Sequence, residues 1–153
     1  MPRGESEFSE TVPSHGETIV HASCVARDGR AVLIRGASGS GKSGLALQLM
    51  ALGAGLVADD RTRLWREGDT LMADAPPAIR GWIEAREVGI LTAPPAGPAP
   101  VALVIDMDET ETDRLPEHRT VTLLGADIPL ARKSELTHFP AAILTYLCGT
   151  RDA

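Results

Sequence analysis

A glycine-rich loop between a strand pattern and a helix pattern constrains the fold of this chain more than any other feature. An aliphatic run over 31–34 precedes the loop, and leucines at helical spacing over 45–52 follow it. Small residues let consecutive backbone N–H groups surround an anion, and the following helix N-terminus adds partial positive charge. The loop consists of Gly36, Ala37, Ser38, Gly39, Ser40, Gly41, Lys42 and Ser43. This arrangement predicts a phosphate-binding loop (P-loop).

Two side chains of the loop indicate the class of ligand. An ammonium at Lys42 can reach the terminal phosphates of a nucleotide, and the Ser43 hydroxyl can ligate Mg²⁺. Only Lys42 and Lys133 are lysines among fifteen Lys and Arg residues, so one of the two stands where a phosphate cradle needs a compact cation. The alternative is a Gly/Ser-rich connector between strand and helix. The loop therefore predicts nucleotide binding and leaves the reaction open.

Length and composition exclude several classes of protein. A chain of 153 residues is one domain, and 43% hydrophobic content with 3% aromatic residues predicts an aliphatic core. A formal charge of −6 argues against nucleic-acid binding, and no apolar run is long enough to cross a membrane. Cys24 and Cys148 have no motif spacing, so we expect reduced core thiols in a cytoplasmic protein.

Turn and strand patterns predict an α/β fold with a mixed β-sheet and flanking helices. Residues 1–16 are polar and predict a flexible N-terminal arm, and residues 17–150 form the P-loop domain. Asp28-Gly29 predicts a hairpin that returns the chain into the strand before the loop. Helices are expected only over 42–52 and 140–147, which does not suit a doubly wound parallel sheet. Segments 76–100 and 108–117 are expected to be mostly irregular.

Three acidic residues follow predicted buried strands. Asp59 and Asp60 end the strand over 56–58, and Asp106 ends the strand over 101–105. A carboxylate at such a position can hold Mg²⁺ or act as a base toward a hydroxyl. Adjacent residues of an extended chain point to opposite sides, so Asp59 and Asp60 should have different roles. A solvated turn or a cap is the alternative, and Asp106 remains a rival for the metal carboxylate.

Three further polar residues are candidates for the same site. Glu84 lies two residues before Arg86, which in extended backbone puts both side chains on one face. A carboxylate beside a guanidinium suits a metal–phosphate site, and it equally suits a surface ion pair. His21 is a polar residue in an otherwise apolar strand, where histidines are usually structural.

Taken together, these residues resemble those of a known family. His21, the P-loop, the segment 56–60 and the segment 83–90 have the order and spacing of the HPr kinase/phosphorylase catalytic domain. The resemblance runs from Glu17 to Gly149 and is strongest over 21–90. It implies a fold similar to the nucleotide domain of phosphoenolpyruvate carboxykinase. The separations of Lys42 from His21, Asp60 and Glu84 are more specific than the loop alone.

The resemblance implies an activity and a set of partners. It implies an ATP- and Mg²⁺-dependent serine kinase of HPr, the carrier protein of the bacterial phosphotransferase system, or of an HPr paralogue, with reverse phosphorolysis as a further reaction. It also implies a homo-oligomer, commonly a hexamer, and a short form without the family's N-terminal domain. No nucleic acid or membrane is expected as a partner.

The resemblance also implies roles for individual residues. Lys42 would contact the phosphates, and Asp60 would take the proton of the acceptor serine and return it in the reverse direction. His21 looks like a site residue, and Arg114 resembles a later catalytic arginine of the family. The P-loop residues and Arg86 would bind the nucleotide. The metal ligands would be Ser43, Asp59 and Glu84.

Some positions depart from the family pattern. Gly44 follows the loop serine, where the family usually has Glu, and Glu87 follows the signature arginine, where Gly is usual. No Pro-Gly-Arg-Asn-type segment is recognisable over 129–133. These departures bear on the phosphorolysis direction more than on the kinase direction. They leave two alternatives open, a nucleotide-sensing module with little catalysis and a small-molecule kinase or NTPase.

Overall fold

The computed structural model describes residues 16–149 and 151–152, so most of the predicted arm over 1–16 lies outside the described residues. Eleven strands and two helices follow one another along the chain, with a 3-10 turn at Pro77–Ile79. The helices are α1 (Lys42–Ala51) and α2 (Phe139–Cys148). The strands are β1 (Thr18–Val20), β2 (Ala22–Arg27), β3 (Arg30–Arg35), β4 (Gly55–Ala58), β5 (Thr62–Glu67), β6 (Thr70–Asp74), β7 (Trp82–Ala85), β8 (Gly89–Thr92), β9 (Ala99–Thr110), β10 (Arg119–Leu123) and β11 (Ala126–Lys133).

Nine of these strands form one mixed sheet, which confirms the predicted α/β class. The strand order is β1-β5-β6-β9-β3-β2-β4, and β11 also pairs with β9 while β10 pairs with β11. Strand β9 runs parallel to β3 and to β11, whereas β2 is antiparallel to both β3 and β4. The predicted hairpin at Asp28-Gly29 joins β2 to β3, and Asp28 has a φ of 54° and Gly29 a φ of 74°.

The two faces of the sheet bury separate aliphatic clusters. Leu33 belongs to a cluster that is formed almost entirely by strand residues, whereas its neighbour Ile34 belongs to the cluster beneath α1 and α2. This alternation follows from the two-residue period of a strand. Leu45 and Leu49 of α1 pack into the second cluster together with Ile143 of α2. The two helices therefore cover the face of the sheet on which the Ile34 side chain lies.

The structure corrects several sequence predictions. The segment expected to be irregular after residue 76 contains the hairpin β7–β8, because the turn at 86–88 reverses the chain. Strand β9 continues to Thr110, so the predicted acidic loop begins later than expected. Strand β11 was not predicted, because Pro129 interrupts its pattern. Cys24 is buried as expected, but Cys148 is exposed.

The core is aliphatic and both α-helices are short. The buried hydrophobic residues in the described part of the chain are aliphatic apart from Cys24 and Met107, which confirms the aliphatic core. Neither α1 nor α2 is long enough to cross a lipid bilayer, and the described residues contain no other α-helix.

Candidate active site

The P-loop joins β3 to α1 and requires glycine at specific positions. Gly39 and Gly41 have φ values of 84° and 100°, a region that residues with a Cβ rarely adopt. At Gly36, with φ 154°, a Cβ would lie 2.6 Å from Ser40 Oγ and 2.9 Å from Met107 Cβ. The loop therefore needs glycine at these three positions, and Gly41 lies directly before the first turn of α1.

Lys42 lies folded over the start of this loop. The residue is buried, and its ammonium donates hydrogen bonds to the carbonyls of Gly36 and Ala37, at 2.8 and 3.2 Å. The Ala37 N–H donates to Asp108 Oδ1 at 2.9 Å, which ties the loop to the end region of β9. Lys42 thus holds its charge inside the curve of the loop, where an anionic group would be received.

A hydroxyl and a carboxylate meet beside the loop. Ser43 Oγ donates to Asp59 Oδ1 at 2.7 Å, and the Glu84 N–H donates to Asp59 Oδ2 at 3.0 Å. Asp59 is buried, with 9% of its surface exposed. Hard oxygen donors of this kind are what Mg²⁺ prefers, and Mg²⁺ usually takes only one or two protein carboxylates and completes its shell with water and phosphate. The donor set of Ser43, Asp59 and Glu84 therefore fits Mg²⁺.

No larger metal-ligating cluster competes with this donor set over 16–149 and 151–152. Groups of three or more His, Cys, Asp or Glu side chains that could hold a metal are absent there. Asp106 forms an ion pair with Arg35, at 3.6 Å, and its Oδ1 accepts the N–H of Asp108. Of the rival carboxylates, Asp59 is therefore the one that contacts the P-loop serine.

Asp60 lines the same cavity as Asp59 but is open to solvent. Its Oδ1 lies 3.7 Å from His21 Nδ1, and the two side chains are 55% and 50% exposed. Asp60 has a φ of 66°, in the left-handed region that Asp and Asn tolerate better than most residues. The two aspartates therefore have different neighbours, and their different roles stay a prediction. A protonated His21 would form an ion pair with Asp60.

One cavity of about 590 Å³ contains most of the predicted site residues. Its lining includes Ser38, Gly39, Gly41, Lys42, Ser43, Asp59, Asp60, Glu84 and Arg86. Glu84 and Arg86 both line this cavity. They do not belong to one extended strand, because β7 ends at Ala85 and Arg86 lies in the following turn. No ion pair joins Glu84 to Arg86 in the part of the chain that the structure describes. A smaller apolar cavity of about 300 Å³ between β9–β11 and α2 contains none of these residues.

Arg114 is one of five predicted site residues that do not line the larger cavity, the others being His21, Gly36, Ala37 and Ser40. It is exposed in the connection between β9 and β10 and does not line the cavity beside the P-loop. Two residues that sequence reasoning missed lie in the site instead, Ser23 and Asp108. Ser23 Oγ donates to Asp59 Oδ1 at 2.9 Å. The available signal was a hydroxyl two residues after His21 in an apolar strand.

Comparisons with known proteins show which family this chain resembles. The sequence profile of the HPr Serine kinase C-terminal domain matches residues 14–95, which is more than half of the chain. An HPr kinase/phosphorylase of Chromobacterium violaceum is 52% identical over 61 residues, which cover 39% of this chain and 19% of that protein. Another, of Geobacillus kaustophilus, is 38% identical over 125 residues, which cover 73% of this chain and 40% of that protein.

A solved structure shares the fold. The structure of the Hpr(Ser) kinase/phosphatase from Coxiella burnetii superposes with a TM-score of 0.70 at 28% sequence identity, covering 85% of this chain and 93% of that chain. The chain spans less than half the length of the curated relatives quoted above. The range of the profile match includes the P-loop, the two adjacent aspartates and the β7 strand. This chain therefore belongs to the HPr serine kinase C-terminal domain family.

Proposed function

We propose that this chain is an ATP- and Mg²⁺-dependent protein serine kinase that acts on HPr or an HPr paralogue, with phosphorolysis of the product as the reverse reaction. The observation that carries the proposal is a single cavity that contains the P-loop lysine, a serine–carboxylate pair and an exposed second carboxylate. Phosphoryl transfer needs positioned cations and an aligned hydroxyl more than covalent help from the protein. The cavity supplies the cations Lys42 and Arg86, and the acceptor serine of the substrate would supply the hydroxyl.

The nucleotide would lie along the P-loop. Lys42 and the loop N–H groups would hold the phosphates, and Arg86 would add positive charge from the opposite wall. Ser43, Asp59 and Glu84 would hold Mg²⁺, which when bound offsets the negative charge of the phosphates. Arg114 enters the proposal from the family resemblance alone.

Asp60 would act as the base. Its carboxylate would accept the proton of the acceptor serine while the serine Oγ forms a bond to the γ-phosphorus and the bond to the β–γ bridging oxygen breaks, releasing ADP. In the phosphorolysis direction an oxygen of inorganic phosphate would form a bond to the phosphorus of the phosphoserine while the bond to the serine oxygen breaks, giving pyrophosphate, and Asp60 would return a proton to the serine oxygen. The neighbouring His21, within 3.7 Å, would orient the Asp60 carboxylate. An exposed base suits a substrate that is itself a protein surface.

A transfer assay with Asp60→Asn tests the proposal. The assay uses γ-labelled ATP, Mg²⁺ and the host's HPr-like proteins. Asparagine tolerates the left-handed backbone at this position, so the change removes the base with little backbone strain. We expect ATP binding to be retained and the transfer rate to fall by about 10²–10⁴-fold. Asp69→Asn is the matched control, because Asp69 is exposed and, among the residues that the structure describes, forms an ion pair only with Arg66, at 3.5 Å.

The outcomes separate the three candidate functions. ATP binding by the wild-type chain with no transfer to any HPr-like protein would contradict the kinase proposal and favour a nucleotide-sensing module. Turnover of a small molecule without transfer to protein would favour a small-molecule kinase or NTPase. Full transfer by Asp60→Asn would remove Asp60 from the proposed role.

The proposal also includes assembly and location. Members of this family are commonly hexameric, so we expect the chain to sediment as a homo-oligomer, and a monomer at micromolar concentration would contradict that expectation. HPr and reduced thiols both belong to the bacterial cytoplasm, where we place this chain.

A further inference from the structure

Ser23 lies between the two aspartates of the site. It is a fully buried residue of β2, and its Oγ donates to Asp59 Oδ1 at 2.9 Å. The same oxygen accepts the backbone N–H of Asp60 at 3.1 Å. The Ser23 hydroxyl therefore donates its proton to the Asp59 carboxylate and accepts the Asp60 N–H, so both aspartates are hydrogen-bonded to the same oxygen atom.

Asp59 is held from three separate elements. Its Oδ1 accepts from Ser23 of β2 and from Ser43 of α1, and its Oδ2 accepts the N–H of Glu84 of β7. Ser23 is the only one of these three donors that is not part of the proposed metal and nucleotide site itself. If the Ser43 hydroxyl turned toward Mg²⁺, Ser23 would be the remaining side chain that orients the Asp59 carboxylate, together with the backbone N–H of Glu84.

Asp60 is held against β2 at both of its backbone polar groups. Its carbonyl accepts the N–H of Ala22 at 3.1 Å, and its N–H donates to Ser23. The φ of 66° at Asp60 is a conformation that costs energy unless the surroundings stabilise it. The bond from Asp60 N–H to Ser23 is such a stabilising contact.

We propose that Ser23 is a positioning residue that sets the geometry between the Mg²⁺-binding carboxylate of Asp59 and the base Asp60. The inference rests on the proposed function for the roles of the two aspartates. Its physical basis is that a polar group behind a metal ligand fixes the orientation of that ligand, and that losing such a group typically costs about 10–100-fold in metal affinity or activity. The hydroxyl also ties the Asp59 carboxylate to the Asp60 backbone, because it bonds to both residues.

Metal binding in Ser23→Ala tests the first half of the proposal. The probe is Mn²⁺, titrated by electron paramagnetic resonance in the presence of a non-hydrolysable ATP analogue and without any protein substrate. We expect the Mn²⁺ dissociation constant to rise by about tenfold or more. Ser23→Thr keeps the hydroxyl, so it should restore most of the affinity.

Thr62→Val is the matched control. Thr62 is also fully buried, and its Oγ1 donates to the Ala22 carbonyl at 2.8 Å, so this variant likewise loses one buried hydrogen bond. It contacts neither the Asp59 carboxylate nor the Asp60 N–H through that hydroxyl. We expect a similar loss of thermal stability in both variants and an unchanged Mn²⁺ dissociation constant in Thr62→Val only.

Steady-state kinetics test the second half. In Ser23→Ala we expect kcat for phosphate transfer to fall by about tenfold or more while the KM for ATP changes less than about twofold, because the P-loop contacts are untouched. An unchanged or tighter Mn²⁺ affinity in Ser23→Ala would overturn the proposal. So would equal losses of affinity in Ser23→Ala and Thr62→Val, or a Ser23→Thr variant that binds Mn²⁺ as weakly as Ser23→Ala.

The two proposals fail in different ways. The Mn²⁺ titration contains no HPr, so it decides the role of Ser23 even if the wild-type chain transfers phosphate to no HPr-like protein. Conversely, transfer that depends on Asp60 but not on Ser23 would leave the kinase proposal standing and remove the positioning role.

Discussion

Adjacent aspartates at the end of β4 have different surroundings because the backbone changes direction between them. Asp59 directly follows the last residue of β4 and accepts hydrogen bonds from Ser23, Ser43 and the Glu84 N–H. Asp60 adopts a left-handed conformation and points to solvent near His21. The alternation of an extended chain was enough to predict two roles. It was not enough to predict which neighbours each residue has.

Glu111 gives a residue-scale prediction about pH and stability. The N–H groups of Asp113 and Thr112 and the Arg119 guanidinium, the last at 2.7 Å, hold the pKa of Glu111 below its usual range against the opposing effect of burial. The ionised form is therefore favoured by folding. This stabilisation is complete above the ordinary glutamate pKa of about 4.3 and is lost as the pH falls through the lower folded-state pKa.

Glu111→Gln should consequently lower the Tm at neutral pH, by about 2–4 °C for a domain of this size. The Tm difference from the wild type should shrink as the pH falls below about 4, because both chains then carry a neutral side chain at this position. Differential scanning calorimetry of both chains over pH 3–7 measures this Tm difference. Glu117→Gln, an exposed site in the same connection, is the control. A Tm difference that grows toward acid pH would contradict this account.

At the scale of elements, the β3–loop–α1 unit is defined locally and anchored by a distant strand. Lys42 and the loop carbonyls are close in sequence, so their contacts follow from the motif. The bond from the Ala37 N–H to Asp108 comes from β9, which lies parallel to β3. Asp108 was missed for that reason, since nothing near the loop in sequence points to β9.

Two glycines of this unit should respond in opposite ways to alanine. Gly36→Ala introduces a Cβ within 2.6 Å of Ser40 Oγ and 2.9 Å of Met107 Cβ, so the loop must shift. Strain of about 1–3 kcal/mol at such a site corresponds to a nucleotide affinity that is weaker by about tenfold. Calorimetric titration with ATP analogue measures the change. An unchanged affinity would show that the loop accommodates the methyl group.

Gly44→Ala is the matched variant in the first turn of α1. A Cβ at Gly44 meets nothing within 4 Å, and its φ is not in the left-handed region. Alanine favours the helix by about 0.5–1 kcal/mol over glycine. We therefore expect a Tm that is higher by about 2–4 °C. A lower Tm would mean that a neighbouring group needs the space above Gly44.

At the scale of the whole molecule, β9 connects the two halves of the sheet. It pairs with β6 at its start, with β3 along its middle and with β11 toward its end. Its residues contribute to both hydrophobic clusters, Val104 to one and Ile105 to the other. The candidate site lies at the ends of β3 and β4 and at the start of α1. Residues of these strands belong to both clusters, so the packing of both clusters holds the site residues in place.

Leu33→Ala should destabilise the whole chain. Leu33 is fully buried in the strand-formed cluster, and removing a buried leucine side chain typically costs about 2–5 kcal/mol through lost burial and the cavity left behind. Urea denaturation at fixed protein concentration measures the change in the free energy of unfolding. Leu115→Ala, at a leucine that is 76% exposed, should change it by less than about 0.5 kcal/mol. Equal effects at the two positions would contradict the assignment of the core.

The amino-acid sequence by itself determined the features that depend on neighbouring residues. These are the P-loop with its glycines, the hairpin at Asp28-Gly29, the helix after the loop and the two aspartates after β4. Their physics is local, since small residues, turn residues and side-chain periods act over a few positions. Strand β11 and the β7–β8 hairpin were missed because Pro129 and an exposed turn obscure the local pattern.

Only the tertiary structure decided which residues share the site. It paired Asp59 rather than Asp106 with Ser43, placed Ser23 behind Asp59 across 36 positions of sequence, and left Arg114 outside the cavity. Such choices depend on which strands pair and in which register, here β2 against β4 and β3 against β9. Register between distant strands is set by how the two cores pack, and a single sequence carries no local signal for it.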